Sequence, residues 1–410
     1  VTRAGIDGDI GRHRLHARLT QAVGDLPEQP VTPTVVVDLD AFDANARDLA
    51  RRAAGMPIRV ASKSLRVPAL ITRALAAPGF SGILTYSLRE ALWLHRQSIC
   101  ADLVMGYPSV DRGALRDLVR DPEAARSITI MVDDSTQLDL VDAVRNQADP
   151  VSVRVAIDID AGYRLAHAHV GPKRSPLYGK DQVLGLAREI ARRPGFDLRG
   201  VMTYEGQVAG VQDDQPGRRA RSLVVRRLKA ASIEQIGDRR REIAEALRGV
   251  VDLEFWNAGG SGSIESSSTD PVVTEVTAGS GLLVPTLFDG FRNFEPRPAA
   301  YFGLRVVRRP SPGCVTVGGG GLISSGPSGK DRSPLPWAPP GLRLTALEGA
   351  GEVQTPLVGP GADSLSIGDL VWFRHGKSGE LAEHTATVHL LSGSRITDHV
   401  PTYRGAGHTW

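Results

Sequence analysis

The sequence predicts an α/β fold, a TIM-type (β/α)8 barrel followed by a C-terminal all-β domain. Three observations carry that prediction. Between about residues 40 and 290, eight short β-rich runs alternate with amphipathic segments, a pattern that requires a parallel sheet with helices outside it. Polar and titratable residues (Lys63, Tyr86, Asp133, Asp158, Asp160, Tyr204, Glu205 and Asn257) gather at the C-terminal ends of these runs. A closed barrel brings all such ends to one face, whereas an open sheet spreads them along a crevice. After about residue 295 the helical periodicity stops, and β-branched runs punctuated by Gly and Pro follow.

Taken in order, the first thirty residues hold Arg12, His13, Arg14, His16 and Arg18 close together and read as a peripheral helix or arm. Val31 to Asp38 reads as a strand able to join the C-terminal domain. The chain thus divides into an arm and strand (1–38), a barrel (39–292) and a β domain (293–410). The barrel runs are Ile58 to Lys63, Gly82 to Ser87, Asp102 to Tyr107, Ser127 to Asp133, Ser152 to Asp160, Leu198 to Glu205, Leu253 to Gly259 and Val273 to Gly279. Helical spacing is clearest in Leu39 to Ala54, Leu88 to Gln97, Ser135 to Arg145, Asp181 to Arg192 and Arg218 to Leu247. The later β runs are Tyr301 to Arg308, Cys314 to Val317, Leu370 to Phe373 and Thr385 to Leu391. Ser324 to Gly341 is too rich in Pro and Gly for regular structure and reads as a long loop, either functional or mobile.

Bulk properties exclude several classes of function. The net charge of +3 is spread through the chain. Its longest basic run, Arg239-Arg240-Arg241, reads as a solvated helix face, so no nucleic-acid surface is expected. Two distant cysteines, Cys100 and Cys314, offer neither a disulfide framework nor metal-ligand spacing. No signal peptide or membrane span is read in the chain, and a cytoplasmic location is expected.

Lys63 is the most informative residue. The chain has only six lysines, and this one closes an apolar strand at the face where barrel enzymes keep their catalytic groups. A lysine there is a candidate Schiff-base former; the alternative is a side chain snorkelling from a strand end. At the far side of the barrel, Gly259-Gly260-Ser261-Gly262-Ser263 follows the seventh run and Gly279-Ser280-Gly281 follows the eighth. Glycines allow backbone N–H groups to turn inward and serine hydroxyls add donors, which together make a nest for an anion. Loops after strands seven and eight are the recurrent phosphate site of such barrels. Pyridoxal 5'-phosphate satisfies both ends, since its aldehyde needs an amine and its phosphate a nest.

Six segments in order then resemble a known family: Thr32 to Asp40, Arg59 to Ser64, Asp158 to Arg164, Gly200 to Gly206, Gly259 to Ser263 and Glu275 to Ser280. They are similar to the D-threonine aldolase and D-serine dehydratase family, within the alanine-racemase-like (type III) pyridoxal-phosphate enzymes. The resemblance implies that Lys63 holds the cofactor, that Arg164 faces its pyridine nitrogen, and that Tyr204 lines the cofactor or substrate. Gly260, Ser261, Gly262, Ser263, Gly279 and Ser280 would bind the phosphate. It also implies a homodimer in which the partner's β domain closes the barrel mouth.

The departures carry equal weight. The family's Arg-Pro-His-x-Lys stands here as Arg59-Val60-Ala61-Ser62-Lys63, and its Gly-His after the strand-six tyrosine as Gly206-Gln207. The family's metal-binding His-x-Cys or His-x-Asp reads His375-Gly376-Lys377, and an ammonium is not a usual metal ligand. Gly281 stands where the family often has a tyrosine, which suggests a larger pocket. Two readings follow. In the preferred one no metal binds, His375 is the acid–base group and Lys377 holds the substrate's β-hydroxyl. In the other, a divalent metal sits on His375 with Glu380, His384 or His389. The expected activity is a lyase cleaving or forming the Cα–Cβ bond of β-hydroxy D-amino acids. The alternatives are D-serine-type β-elimination, an amino-acid racemase using a tyrosine such as Tyr301, and a non-catalytic cofactor-binding protein.

Overall fold

The computed structural model describes residues 3–145, 151–295, 297–327 and 329–410. Residues 1 and 2 of the expected arm and residue 328 of the expected loop therefore lie outside the described residues. Eight parallel strands close into a barrel in chain order: Ile58–Ala61, Phe80–Thr85, Leu103–Met105, Ile128–Val132, Val153–Asp158, Phe196–Thr203, Phe255–Ala258 and Glu275–Ala278. Each coincides with a predicted run, because strands buried on both faces are written as continuous apolar stretches. Helices Leu39–Ala53, Leu88–Arg96, Ser135–Asp142, Lys180–Arg192 and Arg219–Leu247 stand near their predicted positions. Further helices stand at Pro68–Leu75, Arg112–Arg120 and Pro122–Ser127, which the sequence reading did not single out.

The barrel interior is filled by Val104, Met131, Ala156, Met202 and Phe255. Gly200 is required there, since a β-carbon at that position would run into the Phe255 ring. A polar layer shares the interior. Arg59 donates to both oxygens of Glu275 at 2.8 and 2.7 Å, and Asn257 Nδ2 donates to Glu275 at 2.8 Å and to Thr277 Oγ1 at 2.9 Å. Such a buried ion pair is tolerated because hydrogen bonds satisfy it, and losing one partner costs about 3–5 kcal/mol.

The C-terminal sheet incorporates the N-terminal strand as anticipated. Thr34–Asp38 lies between Ala300–Ser311, to which it is antiparallel, and Thr387–Ser392, to which it is parallel. The helix Arg3–Gly24 covers this sheet with Leu19, Ala22 and Val23 against Val36, Tyr301, Leu370 and Trp372. One expectation is overturned. The Ser324 to Gly341 segment contains a strand, Leu335–Ala338, paired with Leu370–Arg374. That strand pairs on one side only, and an edge strand can carry Pro336 without losing a ladder bond. Arg374 joins sheet to barrel through a two-point ion pair with Asp289 at 2.8 and 2.7 Å.

The basic run is also not a solvated face. Arg240 is buried and donates to Thr203, Glu205 and Asp270, while Arg239 donates to the carbonyls of Asp160, Gly162 and Tyr178. The helix packs against the barrel, so two of three consecutive arginines turn inward and only Arg241 remains outside. Cys100 and Cys314 are free thiols. Among the described residues no helix is long and apolar enough to cross a membrane.

Candidate active site

The first barrel strand ends at Ala61 and continues into a single 3-10 turn, Ser62–Ser64, so Lys63 stands just beyond the strand. Ser62 is fully buried and donates to the Leu84 carbonyl at 3.1 Å, which ties the turn to the second strand. Lys63 Nζ donates to Tyr107 Oη at 3.0 Å. Burial alone would raise the Tyr107 hydroxyl, but the charges of Lys63 and Arg174 bring it below its ordinary value. The Arg174 guanidinium lies 5.7 Å from the ring centres of both Tyr107 and Tyr204. Tyr204 in turn lies beside the Gly-Ser turn: a β-carbon on Gly260 would be 3.4 Å from its Cε2. Desolvation pushes the Tyr204 hydroxyl up to about 12, so it stays protonated.

The two Gly-Ser turns meet. Ser261 Oγ accepts from the amides of Gly281 at 3.0 Å and Gly279 at 3.4 Å. Gly279 packs on the Lys63 turn so closely that a β-carbon would be 2.6 Å from the Ala61 oxygen and 2.9 Å from Ser64 Cβ. Gly260 N donates to Ser263 Oγ at 3.1 Å, and Ser263 Oγ donates to Glu205 at 2.8 Å. Gly260 and Ser263 thus shape the turn, with Glu205 and Arg240 as its backing. The amides of Ser261, Gly262 and Ser280 have no acceptor among the described residues, which is what an anion nest requires. Gly281 does not open the mouth: a β-carbon there would sit 3.0 Å from Leu49 Cδ2 and Ser261 Cβ, beneath the turn.

Arg164 stands in the short strand Tyr163–Leu165. Its guanidinium pairs with Asp160 at 3.2 Å and stacks 3.6 Å from the Tyr178 ring centre, while Arg239 lies 3.7 Å from the same centre. These are its contacts among the described residues, and they include neither Lys63 nor the Gly-Ser turns. Gln207 is equally committed, donating to Ala161 O at 2.7 Å and Ser232 Oγ at 2.9 Å.

The C-terminal domain reaches the mouth through the loop after Leu370–Arg374. Lys377 donates to Ser325 Oγ at 2.9 Å. Burial lowers its pKa, opposed by Glu380 and reinforced by the charges of Lys63 and Arg332. His375 behaves differently from expectation. It is fully enclosed, its Nε2 meets Ser378 Oγ at 3.1 Å, and burial together with the Arg374 charge pushes it down to about 3. An imidazole so desolvated stays neutral and is a poor proton acceptor, so the titrating role expected of His375 does not fit its surroundings. Tyr301 is locked in the β-domain core with its hydroxyl on Pro298 O at 2.9 Å.

Residues 37–284 match the alanine racemase N-terminal domain family. The chain belongs to that family. It is 27% identical to a D-threonine aldolase of Arthrobacter sp. over 353 residues, 84% of this chain and 85% of the relative. It is 25% identical to a 3-hydroxy-D-aspartate aldolase of Paracoccus denitrificans over 61% of this chain and 59% of that one. Among solved structures, a D-threonine aldolase from Filomicrobium marinum superposes with a TM-score of 0.74 at 21% identity, covering 92% of this chain and 95% of the other. A D-threo-3-hydroxyaspartate dehydratase from Delftia sp. gives 0.71 at 20% identity, covering 93% and 98%. These two likenesses concern the fold.

Alanine-racemase-like enzymes use pyridoxal phosphate, and this chain has the groups to hold it. Lys63 would supply the amine, the amides of Ser261, Gly262 and Ser280, free among the described residues, a phosphate cradle, and the Tyr107 and Tyr204 rings would line the space between. The implied divalent metal fits poorly. The residue two positions after His375 is a lysine, not a usual metal ligand, and its amine donates to Ser325 Oγ at 2.9 Å. Glu380 accepts from Ser325 N at 2.8 Å, His389 faces His399 across its strand, and His384 is exposed. Among the described residues no three His, Cys, Asp or Glu side chains converge as a metal site would need.

Tyr107 and Arg174 are the two mouth residues that reading the sequence did not single out. Tyr107 closes the third predicted run, so the strand-end rule contained it. Arg174 lies in the irregular Gly171-Pro172-Lys173-Arg174-Ser175-Pro176, where no periodicity marks a position.

Proposed function

We propose that the protein is a pyridoxal-phosphate-dependent lyase that cleaves, or in reverse forms, the Cα–Cβ bond of β-hydroxy D-amino acids. The observation that carries this reading is that the loop holding Lys377 packs, through Gly379, on the turn holding Lys63. The D-threonine aldolase relative, matched over most of both chains, supports the reaction class.

When bound, the cofactor supplies the sink for the electron pair left on Cα. The chain's own residues do the rest. Lys63 would hold the cofactor through its amine and is the group that the substrate's amine meets. Lys377, whose pKa burial lowers from the ordinary lysine value, takes the β-hydroxyl proton in place of His375, and Cα–Cβ breaks to release an aldehyde. The Lys63–Tyr107 pair returns a proton to Cα. No step passes through a metal. The reading carries with it a homodimer in which the partner's β domain closes the mouth, and light scattering should report a particle of two chains.

Product identity tests the proposal. Cofactor-loaded protein given D-threonine should yield glycine and acetaldehyde in equal amounts, with or without chelator. A 2-oxo acid and ammonia from D-serine would establish β-elimination instead, a reaction in which the Lys377 ammonium would protonate the departing hydroxide. Altered configuration at Cα without cleavage would establish a racemase. Absence of all three with D- and L-substrates would reject catalysis of this class.

A further inference from the structure

Arg174 is a cation at the barrel mouth with no carboxylate partner among the described residues. It makes no hydrogen bond or ion pair among the described residues, although the chain is rich in arginine–carboxylate pairs and its predicted counterpart Arg164 is taken up by Asp160 and Tyr178. Its side chain is exposed, but the backbone beside it is tethered. The next residue, Ser175, donates to the Asp158 carbonyl at 2.8 Å and accepts from Leu177 N at 3.1 Å, and Leu177 O accepts from Asp160 N at 2.8 Å. These bonds fasten the segment to the end of the fifth barrel strand. From there the guanidinium stands equally far from two rings, Tyr107 bonded to Lys63 and Tyr204 beside the Gly-Ser turn.

We propose that Arg174 is the carboxylate-recognising residue of the site, holding the α-carboxylate of an amino acid whose amine meets Lys63. A guanidinium presents paired N–H donors that match a carboxylate, and the two flanking rings restrict its orientation without consuming those donors. The Asp158 carboxyl, buried at the same strand end, is close enough to Arg174 to feel its charge, yet forms no ion pair with it; Arg174 therefore keeps its donors for a ligand. The assignment rests on the cofactor reading above but not on the reaction that follows binding.

The test separates the two. The visible absorbance of the cofactor-loaded protein is titrated with D-threonine and with 1-amino-2-propanol, which is threonine without its carboxylate. Arg174→Gln should retain cofactor and the 1-amino-2-propanol response within about twofold, while D-threonine binds on the order of 10–100-fold more weakly, the range for a lost charge-assisted hydrogen bond. Arg174→Lys should recover part of that loss. Equal weakening of both amines, unchanged D-threonine binding, or loss of the cofactor itself would each overturn the assignment. So would a wild-type spectrum that responds to neither D- nor L-amino acids. A wild-type protein that binds D-threonine through Arg174 but releases no aldehyde would instead defeat the lyase reading alone.

Discussion

Gly379 of the C-terminal domain packs directly on Lys63: a β-carbon at Gly379 would overlap the Lys63 carbonyl oxygen, and its φ of +100° is one that L side chains rarely adopt. The loop carrying Lys377 is thereby pressed onto the turn carrying Lys63, and the two amines share one frame.

Gly379→Ala should disturb that frame. Backbone strain alone costs about 1–3 kcal/mol, and the overlap adds to it by displacing the Lys63 turn. Gly393→Ala is the control, since its φ is also positive at +57° but nothing lies within 4 Å. Thermal melts and the visible absorbance of bound cofactor should show lower stability and lower occupancy for Gly379→Ala, and near-normal occupancy for the control.

Lys63→Ala should abolish covalent cofactor attachment. Removing a covalent nucleophile from a concerted site lowers turnover by roughly a thousandfold or more. Borohydride treatment should fix cofactor to the wild-type chain and not to the variant, and peptide mapping should find the modification on Lys63.

Lys377→Met should lower kcat by about 10²–10⁴, the range for a lost acid–base group, with cofactor content unchanged. His375→Gln should leave the shape of the pH–rate profile as it is, since His375 is neutral throughout the working range. A profile limb near 6.5 that disappears in His375→Gln would return the acid–base role to that residue.

Glu90 is fully buried, receives the Tyr403 hydroxyl at 2.8 Å and the Tyr86 amide at 2.7 Å, and is pushed by burial from 4.5 to about 7. Between those two values the folded protein keeps a proton that the unfolded chain has released. Stability from this group is therefore intact below the lower value and declines as pH rises through the upper one, at no more than about 1.4 kcal/mol per pH unit. Glu90→Gln should flatten the decline between about pH 4.5 and 7 in urea unfolding. An unchanged slope would mean another group carries it.

Much of this was legible because parallel barrel strands announce themselves as short apolar runs and their C-terminal ends define a face before any contact is known. Lys63 and the Gly-Ser turns were found that way. Leu335–Ala338 stayed hidden because Pro334 and Pro336 flank and interrupt it, and only its edge position makes them harmless. The fate of Arg239 and Arg240 depends on how far one helix is rotated against the barrel, which composition does not encode. The family resemblance singled out Arg164, and nothing in the sequence marked Arg174. In the structure Asp160 and Tyr178 take up the first, and among the described residues no carboxylate pairs with the second.

The strand Thr34–Asp38 sits inside the C-terminal sheet, paired with Ala300–Ser311 and Thr387–Ser392. During synthesis it therefore leaves the ribosome ahead of nearly everything it pairs with. The βα units of the barrel can assemble from neighbours in sequence, but this strand must wait for partners made near the end of the chain, a closure over long sequence separation that slows folding. Until then Thr34 to Asp38 is an apolar strand with two open edges, and the interval before the last strand emerges is when the chain most needs protection from self-association.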